Sequence, residues 1–173
     1  MAAVHTRPRV MPTVHLVTGN VGAGKTTYAI ALAERVGGVR FSTDEWMVTL
    51  FHADMKDVMD MAWTLERIDR LEDQVWKLIE QLAARGVDAV LDLGLSKKDH
   101  REKQRARARA LHLDTKLHFL DVDLATRTSR VKKRNAEKRE SFSFEVTDEM
   151  IAFMEGWFER PDADELASAV VTR

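Results

Sequence analysis

Eight consecutive residues, Gly19-Asn20-Val21-Gly22-Ala23-Gly24-Lys25-Thr26, match the spacing G-x-x-x-x-G-K-[ST], a pattern suited to holding a chain of phosphates. The glycines let the backbone curl so that successive N–H groups point at phosphate oxygens, helped by the positive end of a following helix. Lys25 would reach the β- and γ-phosphates, the Thr26 hydroxyl would ligate Mg²⁺, and the Thr27 hydroxyl suits the α-phosphate. The bland alternative is a glycine-rich turn that happens to carry Lys-Thr. The flanks argue against it: an apolar run, Val14–Thr18, leads in, and a helical pattern, Thr27–Val36, leads out to Gly37-Gly38. No Asn/Thr-Lys-x-Asp guanine motif is present, so the expected nucleotide is ATP.

Carboxylates and arginines elsewhere suit the same chemistry. Asp44 follows Val39-Arg-Phe-Ser-Thr43, so it falls at a strand's end, where a carboxylate can take the proton of an acceptor hydroxyl; alternatively Thr43 or Asp44 caps a helix that starts at Glu45. Asp92 ends the hydrophobic run before it and reads as a Mg²⁺-water ligand, an acceptor contact or a turn cap. Arg127, Arg130 and Arg134 recur at helical spacing, either as a solvated face or as a lid over phosphate, with Arg130 and Arg134 the stronger pair. Trp46 and Arg67 are candidate acceptor contacts, whereas Trp63 and Trp76 read as packing. His15 and His118, within strands, read as core-edge residues.

These positions need a scaffold, and the chain supplies one pattern throughout. Short apolar runs at Val14–Thr18, Val39–Phe41, Ala89–Leu93, Leu117–Val122 and Ala169–Thr172 alternate with helical segments, the signature of a parallel sheet with crossover helices. The expected helices are Thr27–Val36, Asp57–Arg85, Lys97–Leu111, Leu124–Arg139 and Thr147–Glu159, the last stopped by Pro161. In an open parallel sheet ligands bind beyond the carboxyl ends of the strands, which is where the phosphate loop, Asp44 and Asp92 fall.

The 173 residues predict one domain over 13–173 behind a loose tail at 1–12, with the lid near 127–145. A net charge of −1 demands neither nucleic acid nor an anionic membrane as partner, although the basic stretch Lys97–Arg109 keeps a nucleic-acid acceptor open. The absence of cysteine excludes disulfides and thiolate chemistry, and no membrane-length apolar run appears, so a soluble cytoplasmic protein is expected.

Taken together, Gly19–Thr27, Ser42-Thr-Asp44-Glu-Trp46, Val90-Leu-Asp92 with Arg101 downstream, Asp121-Val with Arg130 and Arg134, and Phe158-Glu-Arg-Pro161 resemble the small P-loop kinases of the zeta-toxin, chloramphenicol-phosphotransferase and polynucleotide-kinase type, often labelled AAA-family ATPases. That resemblance implies an α/β P-loop fold in three layers: a five-stranded parallel sheet ordered 2-3-1-4-5, helices on both faces and an arginine-rich lid. It further implies ATP over the phosphate loop, an acceptor hydroxyl activated by Asp44, and a lid formed by the Arg130–Arg134 segment. In the phage-type polynucleotide kinases an arginine stands three residues after the aspartate; here Met47 does, which favours a partly apolar small molecule over a 5′-hydroxyl end. The expected activity is phosphoryl transfer from ATP to a small hydroxyl compound, with polynucleotide phosphorylation and a nucleotide-dependent, toxin-like switch as the competing readings.

Overall fold

A computed structural model of the chain describes residues 11–54, 60–137 and 146–173. Most of the tail expected at 1–12, the start of the helix expected from Asp57 and the distal part of the lid expected at 127–145 lie outside these residues.

Five strands, β1 (Thr13–Gly19), β2 (Val39–Ser42), β3 (Ala89–Asp92), β4 (Asp114–Leu120) and β5 (Val170–Thr172), form one parallel sheet in the order β2-β3-β1-β4-β5. Side chains alternate across a strand. On β1, Val14 and Leu16 therefore enter one apolar cluster with Val75, Trp76 and Ile79, while Val17 enters another with Ala29 and Leu32. The helices α1 (Lys25–Val36) and α3 (Met61–Ala83) carry these partners and so cover opposite faces of the sheet. Strands buried on both faces read as continuous hydrophobic runs, which is why β1 and β3 were legible.

The element limits differ from the sequence expectation for local reasons. Helix α1 begins at Lys25, not Thr27, because Gly24 takes a left-handed conformation (φ 92°) that turns the loop directly into the helix. Helix α2 (Thr43–Phe51) begins at Thr43, and its cap is neither Thr43 nor Asp44: the Ser42 hydroxyl accepts from Glu45 N at 3.4 Å. Helix α3 starts at Met61, where Asp60 Oδ1 accepts from Trp63 N at 3.0 Å. Strand β4 starts three residues earlier than its apolar run, since pairing with β1 from Thr13 onward satisfies the backbone of polar Asp114 to Lys116.

Helix α4 (Lys98–Ala110) packs through Ala108, α5 (Leu124–Glu137) follows β4, and α6 (Asp148–Trp157) is capped by Thr147. A short helix, α7 (Ala163–Leu166), was not anticipated; a reciprocal cap between Asp162 and Glu165 closes its first turn. No helix among the described residues is long and apolar enough to cross a membrane.

Candidate functional site

Beyond the carboxyl ends of β1, β2 and β3 lies a cleft of about 560 Å³. Its walls include Lys25, Thr26 and Thr27 from α1, Asp44 and Glu45 from α2, Asp92 closing β3, and Arg130, Lys133 and Arg134 from α5. Parallel register explains the meeting of the two aspartates: Ser42 aligns with Asp92, so the turn carrying Asp44 emerges beside the end of β3.

The phosphate loop between β1 and α1 is shaped by glycine. Gly22 has φ 78°, and a Cβ there would stand 2.7 Å from the Arg127 carbonyl oxygen, so only a bare backbone passes α5 at that point. Lys25 Nζ donates to the Asn20 carbonyl at 3.3 Å, folding the lysine back across its own loop. Burial lowers the Lys25 pKa, opposed first by Asp92 and then by Asp44. The Asp44 pKa is raised, chiefly by desolvation and next by the Asp92 charge, with Lys25 opposing. Asp44 still opens to the cleft, so water there moderates the effect. A lysine and an aspartate are thus both pulled toward neutrality at one place, as at sites that bind anions and move protons.

Asp92 is 6% exposed, and Arg40 Nε stands 3.4 Å from its Oδ2 while Arg40 Nη2 bonds Glu45 Oε1. Sequence reasoning passed over Arg40. The available signal was a cation inside a four-residue strand whose end carries the candidate acceptor carboxylate.

The three helically spaced arginines of α5 have three different environments. Arg127 is buried and fully engaged: it donates to Val122 O at 2.9 Å, Val21 O at 3.1 Å and Glu155 Oε1 at 2.6 Å. It therefore anchors the helix and is not a free lid cation. Arg130 donates to Ala23 O at 3.1 Å on the loop itself. Arg134 lines the cleft with a buried Nε that has no hydrogen-bond partner among the described residues, a donor in want of an acceptor.

Of the phosphate-loop candidates, Gly19, Asn20 and Ala23 do not line the cleft, and neither do the two candidate acceptor contacts Trp46 and Arg67. Trp46 packs edge-on against Phe41, with ring centroids 6.0 Å apart, at the border of the main core. Arg67 lies over the Trp63 ring at 3.7 Å and donates to Trp63 O at 3.2 Å. Trp63, expected as packing, packs in this half-exposed aromatic cluster with Phe51, while Trp76 is buried and donates to Gln104 Oε1 at 2.7 Å.

The basic run Lys97–Arg109 is largely neutralised within the fold. Arg101 is wholly buried, paired with Glu165 through two bonds of 2.8 Å; Lys98 meets Asp162, Lys103 meets Asp69 and Glu72, and Arg107 meets Asp73. His15 and His118 are buried and bonded to each other at 3.0 Å, continuing to Asp88 and Tyr28.

The donor set suits Mg²⁺. The Thr26 hydroxyl and the buried Asp92 carboxylate both line the cleft, and the described residues contain no cluster of three or more metal-binding side chains. An ion that keeps several waters and takes phosphate oxygens needs no all-protein cage.

Comparison with known proteins agrees with this architecture. The family model of an AAA domain matches residues 14–161. Solved structures with the same fold include Kti12 from Chaetomium thermophilum in complex with ADP-AlF3 (TM-score 0.67, 14% identity, 92% of this chain and 88% of that one). A gluconokinase from Sinorhizobium meliloti has a TM-score of 0.59 at 17% identity, covering 93% and 82% of the two chains. The APS kinase CysC from Mycobacterium tuberculosis, in complex with AMPPNP and APS, has a TM-score of 0.59 at 18% identity, covering 87% and 84%. The fold is that of the P-loop kinases. No curated protein matches the chain.

Proposed function

Since the chain belongs to this AAA-domain family, with a P-loop kinase fold, we propose that it transfers the γ-phosphoryl group of ATP to the hydroxyl of a small molecule. The observation that carries the reading is the convergence of Lys25, Thr26, Asp44, Asp92, Arg130 and Arg134 on one cleft from four separate stretches of chain. The kinase names of the neighbours, gluconokinase and APS kinase, are consistent with a small acceptor.

In this mechanism the loop N–H groups and Lys25 bind the phosphates, and Thr26 with Asp92 would hold Mg²⁺. The ion supplies positive charge to the phosphate oxygens. Asp44 orients the acceptor hydroxyl and takes its proton as the acceptor oxygen bonds to phosphorus and the bond to the ADP oxygen breaks. Arg130 and Arg134 offset negative charge as it develops on the transferred group. The unpartnered Arg134 Nε supports that role, because a phosphate oxygen is the acceptor it lacks. The paired charges of α4 give less support to a polynucleotide acceptor.

The test is Asp44→Asn, assayed for ADP release against a panel of sugars, polyols, nucleosides and aminated alcohols, with a 5′-hydroxyl oligonucleotide as a separate arm. The variant should keep its ATP affinity and lose transfer by about 10²–10⁴-fold. Transfer at the wild-type rate removes Asp44 as base, and transfer to the oligonucleotide alone replaces the small acceptor with a nucleic-acid end.

A further inference from the structure

The leading half of the phosphate loop is held from outside the loop. Asn20 is 7% exposed; its Nδ2 donates to Glu155 Oε1, and its Oδ1 accepts from Val21 N at 2.7 Å. The same Glu155 oxygen accepts from Arg127 Nη2 at 2.6 Å, while Arg127 Nη1 donates to Val21 O at 3.1 Å. Asn20, Val21, Arg127 and Glu155 therefore close a ring of hydrogen bonds joining the loop, the first turn of α5 and α6. Apolar contact runs alongside it: Val21 packs with Val131 of α5, Ile151 of α6 and Val146. The contact is tight, because a Cβ on Gly22 would collide with the Arg127 carbonyl. Asn20 and Glu155 are 135 positions apart.

We propose that Glu155 is a positioning residue for the phosphate loop: by accepting from Asn20 and Arg127 together it sets the curvature of Asn20-Val21-Gly22. Nucleotide affinity then depends on α6, a helix outside the phosphate-binding motif. The physical reason is that loop N–H groups bind phosphate only if they already point inward. A carboxylate shared by an amide and a guanidinium holds its partners through charge-assisted bonds, one of them to a buried cation. Removing it leaves the Asn20 side chain with its Val21 N bond alone and Arg127 one partner short beside the Val21 carbonyl.

The proposal rests on the reading that ATP binds at Lys25, and a double-mutant cycle separates the two. ATP with Mg²⁺ is titrated into the wild-type chain, Glu155→Ala, Asn20→Ala and the double variant, with thermal unfolding recorded for each. Each single variant should raise Kd about tenfold, since both break the charge-assisted bond between Asn20 and Glu155. The double variant should also lie near tenfold rather than a hundredfold, because both changes break one unit. Glu155→Gln keeps an oxygen for Asn20 but not the charge for Arg127, so it should fall between wild type and Glu155→Ala, and it carries the test if the alanine variant does not fold. A purely structural role would lower the unfolding temperature and leave the affinity of the folded protein unchanged; that result overturns the proposal, as does additivity in the cycle. Absence of ATP binding by the wild-type chain instead overturns the nucleotide reading on which it rests.

Discussion

Asp44 and Lys25 illustrate what a single residue acquires from its setting. An aspartate beside a second carboxylate and partly removed from water is harder to ionise than one in solution, and the Asp44 pKa is raised for those two reasons in that order. A general base, the role proposed for Asp44, works only when deprotonated. Transfer should therefore be lost as pH falls through this raised value, so the acid limb of kcat/KM should lie above the range of an ordinary aspartate. A pH–rate profile with an alcohol identified by the acceptor panel checks this, and a limb at or below the usual aspartate range contradicts it. The sequence announced Asp44 by its place after an apolar run. The same reasoning missed Arg40, because its contact with Asp92 crosses from one strand to the next and follows no spacing along the chain.

Helix α4 shows how an element can mislead when read alone. Its basic composition keeps nucleic-acid binding open, yet its cations face carboxylates of α3 and of the segment after α6: Lys103 and Arg107 toward α3, Lys98 and Arg101 toward Asp162 and Glu165. Arg101 also donates to Leu95 O at 3.3 Å and Glu159 O at 3.0 Å, tying the end of β3 to the chain leaving α6. Replacing Arg101 removes two of the bonds to the buried Glu165 and leaves that carboxylate paired with Arg105, at 2.9 Å; complete loss of partners would cost about 3–5 kcal/mol. Arg101→Leu should therefore lower stability by less than that in urea unfolding, about 2–3 kcal/mol, and Arg101→Leu with Glu165→Leu should recover part of the loss, Arg105 then keeping Glu102. A single variant within about 0.5 kcal/mol of wild type would show that the pair contributes little.

For the molecule as a whole, two buried groups on opposite faces of the sheet link stability to pH. His118, bonded to His15 and Tyr28, is held down to about 4 by burial first and then by the neighbouring His15, with Arg35 and Lys116 adding to the same pull and Asp88 lying beyond His15. Its folded pKa lies below its unfolded value, so the unfolded chain binds the extra proton; stability is full above the ordinary histidine pKa of about 6.5 and declines as pH falls to about 4. Glu72, between α3 and α4, is lowered to about 2; burial opposes that shift, but the bonds from His100, Lys103 and Gln104 outweigh it. Its contribution is present above about 4.5 and is lost as pH falls toward 2. Denaturation midpoints measured across this range should fall in two stages, and His118→Gln should flatten the upper one while leaving the lower; an unchanged upper stage removes His118 as its source.

Sequence alone determined the phosphate loop, because its function depends on local geometry: glycines at fixed offsets, a strand before and a helix after. It also determined the alternation of strands and helices, since burial on one or two faces imprints a period on the chain, and Asp44 and Asp92 followed from the rule that parallel strands present their carboxyl ends to ligands. Tertiary structure alone decided which charges are free. Arg127, Arg130 and Arg134 are one repeating pattern in sequence, but the fold makes the first an anchor, rests the second on the loop and leaves the third with an unpartnered donor in the cleft. Trp46 and Arg67 were drawn toward packing, and Glu155 toward the loop, by the same cause: a charge or an aromatic ring finds its partner through space, and the partner's position in the chain leaves no local trace.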